Sequence, residues 1–310
     1  MSEAPDASTP SSAGWDEGDW ESLVAEIRHK QCTPFLGAGA CAGVLPLGRE
    51  MALAWADKYE YPFADRDNLA RVAQYVAMEV GPRIPKFNVI DAFQNAAPPD
   101  FTKATEPHRV LADLCLPVYI TTNYDNYMVQ ALQQLSPKRN PRREICKWYL
   151  AGRYQRLETE PDLDPTEEEP LVYHIHGITD KLESMVLTED DLVGFLMHIS
   201  EDHLVPPRIE QALTESSLLF MGYALDDLNF RVLLRKFESF MNSGQRVRHF
   251  SVQLGPRANE STADQLRRME RQRSYLDKHF GMQNVKIYWG SCEQFASELR
   301  RHWEAGGGQS

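Results

Sequence analysis

The sequence predicts a doubly wound α/β fold with a mostly parallel, six-stranded sheet and a helical insertion, on three observations. Six short apolar runs of strand type recur along the chain, at residues 33–36, 117–121, 171–175, 217–221, 249–254 and 285–289. Most of them adjoin a stretch of helical periodicity, and strands that alternate with helices of this length pair in parallel. The chain has 310 residues, 42% of them hydrophobic and 25% charged, which is enough apolar material for one large buried core.

Taken in order, the elements support this reading. The first residues are rich in Ser, Pro and Ala, without the basic start or apolar block of a signal peptide, so residues 1–18 are expected to be disordered. Asp19 can cap a helix over 20–30 that carries Leu23, Val24 and Ile27 on one face. The strand at 33–36 contains Pro34, which cannot donate to a central ladder and is therefore expected where the strand starts. After a helix at 48–59, residues 65–107 read as helical with no strand candidate, an insertion at about 60–110 between the first two strands. Helices are expected at 125–135, 226–240, 264–279 and 292–303, each beside a strand. Residues 158–170, with seven acids and three prolines, read as an exposed loop. The domain is expected to span 19–303, with 304–310 as a flexible tail.

Charge and cysteine usage exclude several classes. Thirty-three basic residues against 45 acidic ones give a net charge of −12, so the overall field does not favour direct sequence-specific nucleic-acid binding or an anionic lipid surface. Two local basic stretches, Lys138 to Arg143 and Arg267 to Arg273, read first as solvated surface with mixed charge and second as contacts for a partner. Five scattered cysteines (Cys32, Cys41, Cys115, Cys146 and Cys292) contain no C-x-x-C, which suits reduced thiols better than a disulfide framework or a cysteine zinc site. No apolar run reaches the roughly 20 residues of a membrane helix. A cytoplasmic protein with no membrane partner is expected.

In open α/β sheets ligands bind beyond the carboxyl ends of the strands, so the residues that follow each strand carry the chemistry. Gly37-Ala38-Gly39-Ala40-Cys41-Ala42 fits G-x-G-x-x-G/A, the Rossmann-like loop that lets backbone approach a pyrophosphate at a helix N-terminus. It also suits a bare strand-to-helix turn. A dehydrogenase needs an acid ending the next strand about 20 residues on; Asp57 and Glu60 lie in or just after a helical stretch, so hydride transfer is disfavoured. Thr121-Thr122-Asn123-Tyr124-Asp125-Asn126-Tyr127 sets amides and a carboxylate at a strand end. Helix capping accounts for Asp125 but not for Asn123. In Tyr173-His174-Ile175-His176-Gly177, alternation puts both histidines on one face: His174 reads as a satisfied core residue, and His176, at the strand end, as a base. A zinc pair with His198 or His203 has no recognised spacing, and no metal is expected. Gly222-Tyr223 leads a fourth such segment, in which Asp226 or Asp227 can cap the next helix.

Together these four segments resemble the sirtuin-like family, in its bacterial NAD-consuming branch. The matching residues are Phe35 to Gly39, Thr121 to Asp125, Tyr173 to Gly177 and Phe220 to Asp227, in the family's order, over roughly residues 30–300. The resemblance implies that Gly37, Ala38 and Gly39 hold the NAD⁺ diphosphate. It implies that Asn123, with Asp125 beside it, supports attack at the nicotinamide ribose, that His176 is the catalytic base, and that Gly222 and Tyr223 line the adenosine side. Cys41 stands where the family usually has serine and can keep a weak hydrogen bond. Pro46-Leu47-Gly48-Arg49 lacks the aspartate of the deacetylases, and their four-cysteine zinc module is missing. These departures point to plain NAD⁺ hydrolysis, to nicotinamide and ADP-ribose, over peptide deacylation. NAD⁺ is then substrate and no cofactor is required. The branch implies an antiphage effector that depletes NAD⁺, a homo-oligomer controlled by a separate regulatory protein such as a ring-forming ATPase or a nucleic-acid-guided protein. A length of 310 residues leaves no room for a sensor, so control is expected from another chain. The competing readings are a non-catalytic NAD⁺ or ADP-ribose sensor and an assembly module.

Overall fold

Seven strands pair in parallel in a single sheet of the computed structural model, which describes residues 14–135, 139–150, 164–201, 205–223, 231–232, 235, 247–254 and 263–307. They are β1 (Cys32–Leu36), β2 (Val118–Thr121), β3 (Arg142–Ile145), β4 (Leu171–His174), β5 (Ser217–Met221), β6 (His249–Gln253) and β7 (Val285–Trp289). Their order across the sheet is β3-β4-β2-β1-β5-β6-β7, with every pairing parallel. The chain leaves β1 toward β2 on one side and returns to β5 on the other. The order therefore reverses between β1 and β5, and such a switch point opens a crevice at the strands' carboxyl ends.

The six-strand expectation was one short. β3 is the edge strand, reads Arg-Arg-Glu-Ile, and is exposed or half-buried along its length, so no apolar run announces it. It takes up Arg142 and Arg143 of the first basic stretch; Lys138 lies outside the described residues. Pro34 is a second correction. It is the third of five residues in the central strand, not its first. Leu36 O accepts from Thr122 N on the β2 side, and Gly37 N donates to Met221 O on the β5 side. By alternation Pro34, in phase with Leu36, turns its nitrogen toward β2, and pairing with β2 begins only at Phe35. The ladder toward β2 therefore starts only after the proline, which has no N–H to donate.

Helices cover both faces. α1 (Glu17–Arg28) begins earlier than expected: Asp16 caps it by accepting from Asp19 N at 2.9 Å, and Asp19 returns the contact to Asp16 N at 3.2 Å. α1 packs with α5 (Pro107–Asp113), α6 (Tyr127–Gln134) and the C-terminal helix over one face of the sheet, around Leu23, Ile27, Leu36, Leu219, Phe250 and Phe295. The other face buries Phe35, Ile120, Tyr173 and Phe220 against α7 (Glu189–Glu201) and α8 (Pro207–Glu215). Successive strand residues thus go to opposite cores, as a doubly covered sheet requires. The remaining helices beside the strands are α9 (Ala263–Gly281) and the C-terminal α10 (Cys292–Ala305).

The segment between β1 and β2 carries α2 (Gly48–Lys58), α3 (Leu69–Glu79) and α4 (Ile84–Gln94) ahead of α5, joined by turns and loops. The first three make a satellite core of Ala52, Trp55, Val72, Val76 and Val89, closed by Met185 and Leu187 from the segment before α7. The expected helix at 226–240 falls almost wholly outside the described residues, as do the expected N-terminal disorder up to residue 13, His203, and residues 158–163 of the acidic loop.

Candidate active site

Because all strands are parallel, the segments after β1, β2, β4 and β5 emerge at one end of the sheet. The ladder continues a residue beyond each strand: Thr122 N donates to Leu36 O at 2.9 Å, Ile175 N to Thr121 O at 2.9 Å, and Gly37 N to Met221 O at 2.8 Å. This holds the four loops side by side across the switch point.

The first and fourth loops press backbone to backbone. Gly39 N donates to Gly222 O at 3.0 Å. A Cβ on Gly37 would stand 2.8 Å from Gly222 O, and one on Gly39 2.8 Å from Gly222 Cα. Gly222 has φ +86° and faces Ala40 N, where no side chain fits. The glycines are thus demanded first by loop-on-loop packing. Ala38 stays exposed, and Gly39, Gly222 and Tyr223 are half-buried, so this junction lines an accessible rim. Tyr223 OH donates to Leu36 O at 2.8 Å and lies 2.7 Å from Thr122 Oγ1, tying three strand ends together.

Asn123 is buried and fixed from both sides. Its backbone N–H donates to Thr121 Oγ1 at 2.9 Å, and its Nδ2 donates to Gly37 O at 3.1 Å and to Cys41 Sγ at 3.4 Å. The side-chain amide is therefore set in plane against the glycine loop. Thr121 and His174 are partners across β2 and β4. Asn123 and His176 each lie two residues beyond that pair, in the segments that follow β2 and β4. The His176 ring meets Phe195 edge-on with centroids 5.0 Å apart, and burial pushes its pKa down to about 4. It is neutral at physiological pH. Gly177 turns the chain away at φ +82°, packed on Ser184 O with no space for a side chain.

His174 departs from the expected satisfied core residue. Its Nδ1 lies 3.1 Å from Asn123 O, but buried Nε2 has no hydrogen-bond partner among the described residues. Burial lowers its pKa.

Sequence reasoning missed the group around Cys41. Cys41 Sγ donates to Asp125 Oδ2 at 3.5 Å and lies 3.8 Å from His108 Nε2. The other ring nitrogen of His108 is 2.7 Å from Glu106 Oε1. Asp125 also accepts from Tyr127 N at 2.9 Å through Oδ1, but it stands one residue ahead of the cap position expected for it, which Asn126 holds. Burial, followed by the Asp125 carboxylate, raises the Cys41 thiol well above its usual range. No local spacing could have signalled this cluster, since His108 comes from the helical insertion, far from Cys41 in sequence. Ala224 to Phe230, including Asp226 and Asp227, lie outside the described residues.

The strand ends therefore offer a neutral histidine, an oriented amide and a backbone-lined rim where the strand order reverses between β1 and β5. Against known proteins, the family described as SIR2-like domain matches residues 117–276, more than half of the chain. That span holds Asn123, His176, Gly222 and Tyr223 but not the glycine loop after β1. Among curated proteins, NAD(+) hydrolase ThsA of Cytobacillus dafuensis is 25% identical over 233 residues, 74% of this chain and 43% of that protein. The protein of the same name from Enterococcus faecium is 28% identical over 150 residues, 48% of this chain and 28% of its own. That from Acinetobacter baumannii is 21% identical over 294 residues, 91% of this chain and 56% of its own. The chain thus spans about half the length, or less, of the curated relatives it matches.

Proposed function

The chain belongs to the SIR2-like domain family, and from that premise we propose that it is an NAD⁺ glycohydrolase that cleaves the nicotinamide–ribose bond. The observation that carries the reading is that Asn123 and a neutral His176 each follow the paired strand ends Thr121 and His174 by two residues, beside the glycine junction of the β1 and β5 loops. The names of its relatives point the same way.

In this mechanism the dinucleotide lies across the carboxyl ends of the sheet. Its diphosphate rests on Gly37, Ala38 and Gly39, and its adenosine side on Gly222 and the Tyr223 ring. Cys41 and Asp125 stand behind Asn123 and keep its amide in place. Asn123 orients the nicotinamide ribose or the attacking water. The nicotinamide C–N bond breaks through an oxocarbenium-like state, water oxygen bonds to the anomeric carbon, and His176 takes the proton that water releases. Nicotinamide leaves neutral and ADP-ribose is the second product. NAD⁺ is consumed as substrate and no resident cofactor is needed. We assign catalysis to a domain over residues 19–303, working in the cytoplasm as a homo-oligomer. Its role is antiphage defence by NAD⁺ depletion, under a separate regulatory protein such as a ring-forming ATPase. Among the described residues, no helix is long and apolar enough to cross a membrane.

The test is chromatographic detection of nicotinamide released from NAD⁺, by the chain alone and with its regulatory protein. General acid–base help of this kind contributes about 10²–10⁴ in rate, so His176→Ala is expected to lose at least 100-fold, and Asn123→Ala a comparable factor, with the fold retained. Full activity in both variants overturns the assignment. NAD⁺ binding without turnover under either condition replaces it with a sensor.

A further inference from the structure

We infer that Cys41, His108 and Asp125 form a binding site for a divalent cation of the zinc class. Their Sγ, Nε2 and carboxylate oxygen lie within 4.8 Å of one another. A tetrahedral zinc holds sulfur at about 2.3 Å and nitrogen or oxygen at about 2.0–2.2 Å, which sets the sulfur-to-ligand edges at about 3.5 Å. The edges from Cys41 Sγ are 3.5 Å to Asp125 Oδ2 and 3.8 Å to His108 Nε2, close to that value, and the His108-to-Asp125 edge, within 4.8 Å, closes to about 3.4 Å when a metal binds.

The surroundings are arranged as a metal's outer shell is. Glu106 Oε1 sits 2.7 Å from His108 Nδ1, and its Oε2 accepts from Arg109 N at 2.6 Å. The carboxylate thereby holds the hydrogen on Nδ1 and leaves the Nε2 lone pair facing the sulfur, the orientation that a ligating histidine requires. Asn123 Nδ2 donates to Cys41 Sγ, and Tyr127 N holds Oδ1 of Asp125 while Oδ2 turns inward. Metal-free, three electron-rich atoms converge with a single thiol proton between them. That proton can serve the carboxylate or the imidazole, not both. A cation satisfies all three at once, as the thiol proton leaves to solvent and the thiolate bonds the metal.

The donor set selects among metals. One thiolate, one imidazole and one carboxylate suit Zn²⁺ or Co²⁺ and not the oxygen-seeking Mg²⁺ or Ca²⁺. Cys41 and His108 are buried and Asp125 is half-buried, so Asp125 is the ligand that meets solvent. The site adjoins the proposed NAD⁺ site through the Asn123–Cys41 contact, but its ligands converge whether or not a dinucleotide binds.

The experiment strips the purified full chain with chelator, dialyses it against Zn²⁺ and measures bound metal, then repeats the loading with Co²⁺ and records its absorption. One Zn²⁺ per chain and a thiolate-to-Co²⁺ charge-transfer band are expected. The band should vanish in Cys41→Ser and persist in Cys115→Ser. Glu106→Gln should weaken Zn²⁺ binding about 10–100-fold, the usual cost of losing a ligand's carboxylate partner, with an unchanged circular dichroism spectrum. Should Cys41→Ser fail to fold, Asp125→Asn takes its place and must lower the affinity. Substoichiometric Zn²⁺ on the folded chain, or the same Co²⁺ spectrum with and without the Cys41 thiol, overturns the proposal. None of these readings uses NAD⁺, so failure here and failure of nicotinamide release remain separate results.

Discussion

His176 shows how burial prepares a residue for chemistry. An ordinary histidine is half-charged near pH 6.5, whereas desolvation holds this one neutral down to about 4. A general base acts in its neutral form, so the acid limb of kcat/KM for nicotinamide release is expected near pH 4, with a plateau through neutrality. A limb near 6.5, measured as a pH profile on the free protein, would show that the ring is solvated and the assignment misplaced. At the same scale, the glycines differ in what they do. Gly222 combines φ +86° with a Cβ position that collides with Ala40 N, whereas Gly43 has φ +83° and nothing within 4 Å. Gly43→Ala should therefore cost only the backbone strain, about 1 kcal/mol, and Gly222→Ala that strain plus a forced separation of two loops. Urea unfolding of the two variants checks the difference; equal losses would mean the loops are not packed as described.

Among the elements, the start of α7 links the helical insertion to the sheet. Asp191 accepts from Leu187 N and Thr188 N, receives Lys86 at 3.1 Å, and its own N–H donates to Thr188 Oγ1. Arg71 reaches the neighbouring Glu189 at 3.0 Å, but both side chains are about half exposed. Removing a helix cap costs about 1 kcal/mol, and exposed ion pairs contribute about 0–1 kcal/mol. Asp191→Ala is thus expected to destabilise the chain by about 1–2 kcal/mol and Glu189→Ala by much less, in thermal or denaturant unfolding. The elements also show where patterning succeeds. The apolar strands were legible because doubly covered parallel strands read as continuous hydrophobic runs. β3 was not, because an edge strand with charged, exposed side chains carries no such run. The cap of α1 was misplaced by three residues because Asp16 and Asp19 both satisfy the local rule, and only the burial of Trp15 against Trp20, with centroids 4.6 Å apart, draws the helix start back to Glu17.

For the molecule as a whole, stability in acid follows from histidines buried neutral. His249 accepts from Leu218 N through Nδ1 at 3.1 Å, and burial lowers its pKa to about 4, as it does for His176. Below the unfolded value of 6.5 the unfolded chain binds protons that the folded one refuses. Stability is therefore full above about 6.5 and falls as pH drops toward 4, by about 1.4 kcal/mol per pH unit for each such histidine. Denaturant midpoints between pH 7 and 4.5 should decline along that slope, and His249→Gln should flatten it. A flat wild-type profile would contradict the burial of these rings.

The sequence by itself determined the parallel α/β class, the helical insertion and the four strand-end segments, because hydrophobic periodicity and turn residues are local properties. The places of Asn123 and His176, two residues past β2 and β4, were legible for the same reason. Only the tertiary structure decided which segments meet. Parallel pairing carries Gly37 against Gly222, and the insertion carries His108 to Cys41, across separations in which no spacing rule operates. It also decided electrostatic state, since a histidine's charge depends on the solvent its ring loses, and that loss is set by residues distant in the chain.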